Sequence, residues 1–228
     1  GTSYSWNNSS TSIGLGATGI NTIPAFTTTN NGASIITSLV TITPEYTNAG
    51  LSCFGPISDF EIKINPFATV QDPADQVVCN NSSTQAVNIA GTGTSYVWTN
   101  NNTIIGLGTN GIGNITAFNA LNNTAAPIIA GVTVTAEYTA GGITCIGAQQ
   151  NFTITVNPTP VVNDPIDQVI CNTASSTQVV LSGTGTSYSW NNSNTAIGLI
   201  SSGTNIIPTF TGQNNGVNPI SGTITLIP

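Results

Sequence analysis

Any chemistry in this chain would have to come from eight carboxylates, four cysteines and a single basic residue, Lys63, because Arg and His are absent. General acid–base and nucleophilic catalysis usually draw on a histidine or lysine base, or on two carboxylates close together in a cleft. The carboxylates here are Asp72/Asp75 and Asp164/Asp167, in two Asp-Pro-x-Asp motifs, Glu45 and Glu137, each followed by tyrosine, and Asp59 and Glu61. A glycosidase needs two such groups flanking one bond. Identical placement in successive segments suits architecture better, so no catalytic residues and no enzymatic activity are expected.

The same aspartates are the only candidate metal set. Asp72, Asp75, Asp164 and Asp167 could each offer oxygens to Ca2+, but a calcium shell takes about six to eight, so amides such as Asn157 and Asn163 and backbone carbonyls would have to complete it. Aspartate beside proline more often caps a turn, and that role is the expectation, with no cofactor required. Zinc is not expected at Cys53, Cys79, Cys145 and Cys171, which form no Cys-x-x-Cys pair and have no histidine nearby. Cysteines in a chain so poor in lysine point instead to disulfides and an oxidising, extracytoplasmic setting.

These residues recur at a fixed step. Trp6, Trp98 and Trp190 are 92 residues apart (98 − 6 and 190 − 98), each within Gly-Thr-Ser-Tyr-x-Trp. Cys53 recurs at Cys145, Cys79 at Cys171, Glu45-Tyr46 at Glu137-Tyr138, and Asn65-Pro66 at Asn157-Pro158. Self-similarity at a fixed period means one folding unit copied head to tail, and this period is close to the roughly 100 residues of an immunoglobulin-like sandwich. Boundaries at Asn-Pro give a partial unit 1–65, a complete unit 66–157 and a partial unit 158–228, a window on a longer tandem array. The prolines at the joints predict short, extended, semi-rigid spacers.

Composition removes several function classes. Only 4% of residues are charged, while 39% are apolar, so there is enough grease for cores but a surface built of hydroxyls and amides. One lysine cannot neutralise phosphates, which argues against nucleic acid and against docking on anionic lipid. No apolar run approaches the ~20 residues of a spanning helix, so membrane insertion is not expected.

The elements that must position these residues read as strands. Gln76–Val78, Gln85–Ile89, Tyr96–Trp98, Ile115–Phe118 and Gly131–Tyr138 are strand candidates in the middle unit, and in the last strand Phe152, Ile154 and Val156 alternate with Thr153 and Thr155. The earlier copy places Phe60, Ile62 and Ile64 inward and Glu61 and Lys63 outward. No helical periodicity competes, so the fold class is all-β, with about seven strands per unit if it is immunoglobulin-like. Trp6, Trp98 and Trp190 on a central strand are expected as core anchors rather than sugar platforms, and Tyr46 and Tyr138 as structural tyrosines. Lys63 matches Thr155 (63 + 92), so a Lys–Asn isopeptide lock is not a property of the repeat. Asn-x-Ser/Thr triplets such as Asn81-Ser82-Ser83 are expected by chance in so Asn/Thr-rich a chain.

Cys79 and Cys145 are 66 residues apart (145 − 79), and a crosslink closing such a loop stabilises by roughly 4 kcal/mol in the chain-entropy model. An intradomain Cys79–Cys145 bridge is therefore the preferred pairing, with Cys53 and Cys171 pairing outside the window. A Cys53–Cys79 bridge is disfavoured, because a final strand of about ten residues, roughly 33 Å, would lie between them.

The segments 72–80 (Asp-Pro-Ala-Asp-Gln-Val-Val-Cys-Asn), 93–101 (Gly-Thr-Ser-Tyr-Val-Trp-Thr-Asn-Asn), 136–139, 142–145 and 152–160 carry a family resemblance. Over essentially its whole length the chain resembles the PKD-like repeats of Bacteroidetes surface proteins exported by type IX secretion, which include gliding-motility adhesins. The resemblance implies tandem immunoglobulin-like β-sandwiches in an extracellular stalk or filament of a cell-surface adhesin. Its partners would be neighbouring repeats of the same long chain, a homopolymeric fibre, or a glycan or surface ligand. The alternatives are a glycan- or surface-binding module, and accessory repeats of a large secreted hydrolase.

Overall fold

The computed structural model describes all residues from Gly1 to Pro228. The protein is all-β, with no α-helix and three one-turn 3-10 segments at Thr11–Ile13, Thr103–Ile105 and Thr195–Ile197. No helix is long and apolar enough to cross a membrane.

The first strands are β1 (Thr2–Asn8), β2 (Thr18–Ile20), β3 (Ile36–Asn48), β4 (Leu51–Phe54) and β5 (Ser58–Ile64). They form one sheet in the order β2-β1-β3-β4, with β5 also paired to β3. Next come β6 (Gln76–Cys79), β7 (Ser95–Asn100), β8 (Asn110–Ile112), β9 (Ile128–Ala140) and β10 (Ile143–Asn157), in the order β6-β10-β9-β7-β8. The last are β11 (Val179–Val180), β12 (Ser189–Asn192), β13 (Ser202–Thr204), β14 (Ile206–Ile207) and β15 (Ile224–Ile227). Of these, β13-β12-β15 make a three-stranded sheet and β11 pairs with β14. By compactness the chain divides into one unit comprising Gly1–Leu121 with Ile129–Val156, and a second comprising Asn122–Ile128 with Asn157–Pro228.

Period-two alternation decides what is buried. Along β9, Ala130, Val132, Val134 and Ala136 are fully buried while the intervening threonines are not, and along β10 Phe152, Ile154 and Val156 are buried. The hairpin between these long strands turns on Gly141 and Gly142, at φ 59° and 76°. Two successive left-handed residues match the right-handed twist of the strands. In the first sheet, Trp6, Ile13, Leu15 and Val40 form the core, with Phe26, Ile62 and Ile64 packed against it. Phe60, expected inward, remains 41% exposed. In the second unit the corresponding core is Leu181, Tyr188, Trp190, Leu199 and Ile207.

Two expected strands are not continuous ladders. Segments 85–89 and 115–118 meet only at the bridge between Val87 and Ile115, and the middle repeat has five named strands plus bridges at Val70–Gly91, Ser83–Asn119 and Val87–Ile115. Side chains take over the backbone hydrogen bonds there. Ile89 N donates to Asn114 Oδ1, and Phe118 N to Thr84 Oγ1. Gln76 clasps Gln85 through both ends of its amide, as Gln168 does Thr177.

Candidate functional site

The most developed constellation in the molecule is built around the tryptophans. On β7, Trp98 and Asn100 are two residues apart and so point to the same, inward face, where both are buried. Trp6 and Asn8 on β1, and Trp190 and Asn192 on β12, repeat the arrangement.

Each asparagine ends its strand and holds the loop that follows. Asn100 Nδ2 donates to the carbonyls of Asn102, Leu107 and Gly108 at 3.1, 3.0 and 3.2 Å, while its Oδ1 accepts from Asn102 N at 3.0 Å. Asn8 binds Ser10, Leu15 and Gly16, and Asn192 binds Asn194, Leu199 and Ile200, in the same way. In the first copy Ser38 Oγ also bonds Asn8 Oδ1. A buried amide that satisfies several orphan carbonyls fixes one loop conformation, because removing it strands those carbonyls in the interior. The loop so held contains the 3-10 turn, whose Ile13 and Ile105 are fully buried. In sequence the run Asn100-Asn101-Asn102 has the look of an ordinary turn, which conceals this role. Its signal was the recurrence of one asparagine two residues after each tryptophan.

The tryptophans lie in the core, as their types and spacing implied. Trp6 Nε1 donates to Thr22 O at 3.1 Å and Trp190 Nε1 to Ile206 O at 2.9 Å, whereas Trp98 Nε1 is buried without an acceptor. Under each indole lies a glycine of the neighbouring short strand: Gly19, Gly111 and Gly203. A β-carbon there would overlap the six-membered ring in every copy. The Gly–Trp approach is therefore part of the same device.

The cysteines require a correction. Asn65 Nδ2 donates to Ala140 O and Ile143 O, a β-carbon at Gly147 would strike Ala68 O, and Thr153 N donates to the Asp75 carboxylate. The chain from Asn65 to Asp75 thus advances alongside β10 in the same direction, and Cys79 lies past the level of Thr153. Cys145 lies near the start of β10, eight strand steps before Thr153 (153 − 145), or roughly 26 Å at ~3.3 Å per residue. A disulfide requires Cα atoms about 4.4–6.8 Å apart. The expected Cys79–Cys145 bridge is accordingly not formed, and all four cysteines are free, with Cys53, Cys79 and Cys171 exposed and Cys145 half-buried. Thiol titration of the native, unreduced chain should return four equivalents, with Cys145 reacting slowest. A Cys79–Cys145 peptide in a non-reduced digest would contradict this placement.

The candidate calcium ligands are separated in role. Asp75 spends a carboxylate oxygen on Thr153 N at 2.6 Å, while Asp72, Asp164 and Asp167 are exposed on irregular chain. No group of three or more His, Cys, Asp or Glu residues is placed to hold a metal ion. Glu137 accepts from Ser95 Oγ at 3.1 Å, and Lys63 pairs with Glu61 at 2.9 Å in full view of solvent, where such a pair contributes little. Compared with models of known protein families and with curated protein sequences, the chain matches none.

Proposed function

We propose that this chain is a structural segment: part of the extracellular stalk or filament of a secreted bacterial surface adhesin, made of tandem immunoglobulin-like, PKD-like sandwiches. The observation that carries the proposal is the recurrence of one self-contained locking device at Trp6/Asn8/Gly19, Trp98/Asn100/Gly111 and Trp190/Asn192/Gly203, with equivalent carbonyl partners for the asparagine each time. Each copy fastens its own loop to its own strand, so the device can be multiplied along with the sequence that carries it. A surface with one basic residue offers trypsin-like proteases almost no site, and so low a content of charge makes contacts less sensitive to salt.

The glycan-binding alternative rests on Tyr4 and Tyr46, which share one face of the β1–β3 pair and are about half exposed. Their counterparts in the middle unit, Tyr96 and Tyr138, are more deeply placed, which favours the structural role. Single-molecule stretching of the chain between terminal handles is the test. A stalk element should resist and then release in discrete steps of roughly 300 Å for a complete unit, at ~3.3–3.6 Å per residue. Featureless extension, together with a specific signal on a glycan array, would transfer the assignment to the binding module.

A further inference from the structure

The first and middle repeats are joined without a slack residue between them. β5 ends at Ile64, which is still in register with Ile36 of β3. Asn65 follows, and after it Pro66 and Ala68 are fully buried. From Thr69 the chain belongs to the middle repeat, since Thr69 N donates to Thr92 Oγ1 and Gln71 N to Ala90 O. The whole joint is therefore Asn65.

Proline alone does not fix such a joint. Pro66 sets its own φ and keeps the residue before it extended, but rotation about the N–Cα bond of Asn65 is left, and it would swing one repeat against the other. Side chains restrain that rotation from both ends. Asn30 Nδ2 donates to Ile64 O at 2.8 Å, which ties the peptide entering Asn65 to a loop of the first repeat. Asn30 is itself held, donating to Ser34 O and accepting from Gly32 N. On the other side, Asn65 Nδ2 donates to Ala140 O and to Ile143 O, each at 3.2 Å. An amide nitrogen has two hydrogens to give, and these carbonyls flank the Gly141–Gly142 turn between β9 and β10. Both halves of the arrangement recur. Asn157-Pro158 repeats Asn65-Pro66, the β3–β4 hairpin turns on Ala49 and Gly50 at φ 49° and 83°, and Asn122 and Asn214 hold their loops as Asn30 does.

We propose that Asn65 is the positioning residue of the joint: its amide clamps the β9–β10 hairpin of the middle repeat to the end of β5, and with Asn30 it holds the two repeats in one orientation. The hairpin tip is then a contact between repeats rather than a free loop. The clamp is a property of the joint and stands apart from the stalk reading, which a stretching result of either kind would leave separate from it.

Residual dipolar couplings of the intact 228-residue chain test this, with alignment tensors fitted separately to the β1–β5 sheet and to the β7–β10 sheet. In the parent the two tensors should agree in magnitude and axes, as for one rigid body. Asn65→Ala and Asn65→Asp should each leave the fit within either sheet intact while the two magnitudes diverge by about 1.5-fold or more, the mark of independent reorientation. Aspartate keeps the shape of asparagine and removes only the donors, so it decides where alanine disturbs a sheet. Asn101→Ala, which deletes a bond inside the middle repeat, should leave the tensors equal. Tensors that differ already in the parent, or that still agree in Asn65→Asp, would overturn the proposal. So would loss of the fit within a sheet in both variants, because Asn65 would then serve the fold of one repeat and not the joint.

Discussion

Asn100→Ala is expected to destabilise the middle repeat by about 3 kcal/mol, measured as a shift in denaturant midpoint at constant m-value. Asn100 is buried and its amide group meets three carbonyls and one backbone N–H. Truncation removes all four contacts, and the Leu107 carbonyl, joined to it by a fully buried bond, is left without this donor. A buried polar group stripped of its partner costs ~1–3 kcal/mol, and the cavity adds to that. Asn100→Asp keeps the shape but exchanges the donors for a carboxylate facing carbonyl oxygens, so it should be worse than alanine at neutral pH. If aspartate proved as stable as asparagine, the amide donors could not be what holds the loop. Substituting the solvent-facing neighbour Asn101 by alanine removes a bond to Gly131 N and should cost far less, about 1 kcal/mol.

The contrast between these two asparagines shows which features were legible in the sequence. Strand alternation was readable where burial is one-sided and the ladder continuous, as at Val132–Ala136 and Phe152–Val156, because a two-residue period has no other physical origin there. It misled at Gln85–Ile89 and Ile115–Phe118. The apolar spacing is genuine and Val87, Ile89 and Ile115 are buried, yet Asn114 and Thr84 side chains replace strand partners, and residue spacing carries no information about where an N–H finds its acceptor. The tryptophans were legible as core because so large an apolar surface on a strand has few other uses. The asparagines beside them were not, since asparagine is abundant at turns and a buried one looks the same in sequence.

The cysteine pairing failed for a different reason. Loop entropy says how much a bridge would stabilise, but whether it can form depends on the direction in which the segment before β6 runs against β10. That direction is set by contacts such as Asn65 with Ile143 and Asp75 with Thr153, far from either sulfur.

Gly111→Ala should destabilise the middle repeat as much as the loss of Asn100 does, about 3 kcal/mol, although it adds only one methyl group. In the native structure β8 pairs antiparallel with β7, placing Gly111 opposite Trp98, and a β-carbon at Gly111 would fall within the indole, with its Nε1 only 3.0 Å away. Neither partner can give way cheaply. The ring is buried, and β8 is held to β7 by the ladder from Val97–Ile112 to Thr99–Asn110. Overpacking of this kind typically costs ~1–3 kcal/mol when side chains can adjust, and here the obstacle is a rigid bicycle, which places the effect at the upper end. Trp98 should report the strain directly, with a red-shifted, more quencher-accessible emission as the ring is levered toward water. Gly108→Ala supplies the control on the same loop, because the nearest atom to a β-carbon there is Asn110 O at 4.0 Å. That substitution should leave both stability and emission within about 0.5 kcal/mol and a few nanometres of the parent. Equal behaviour of the two alanine variants would mean that glycine is present at 111 for its backbone alone. Rescue of Gly111→Ala by Trp98→Leu, which clears the space, would show instead that the glycine and the tryptophan form one packing unit, each dictating the other in every copy.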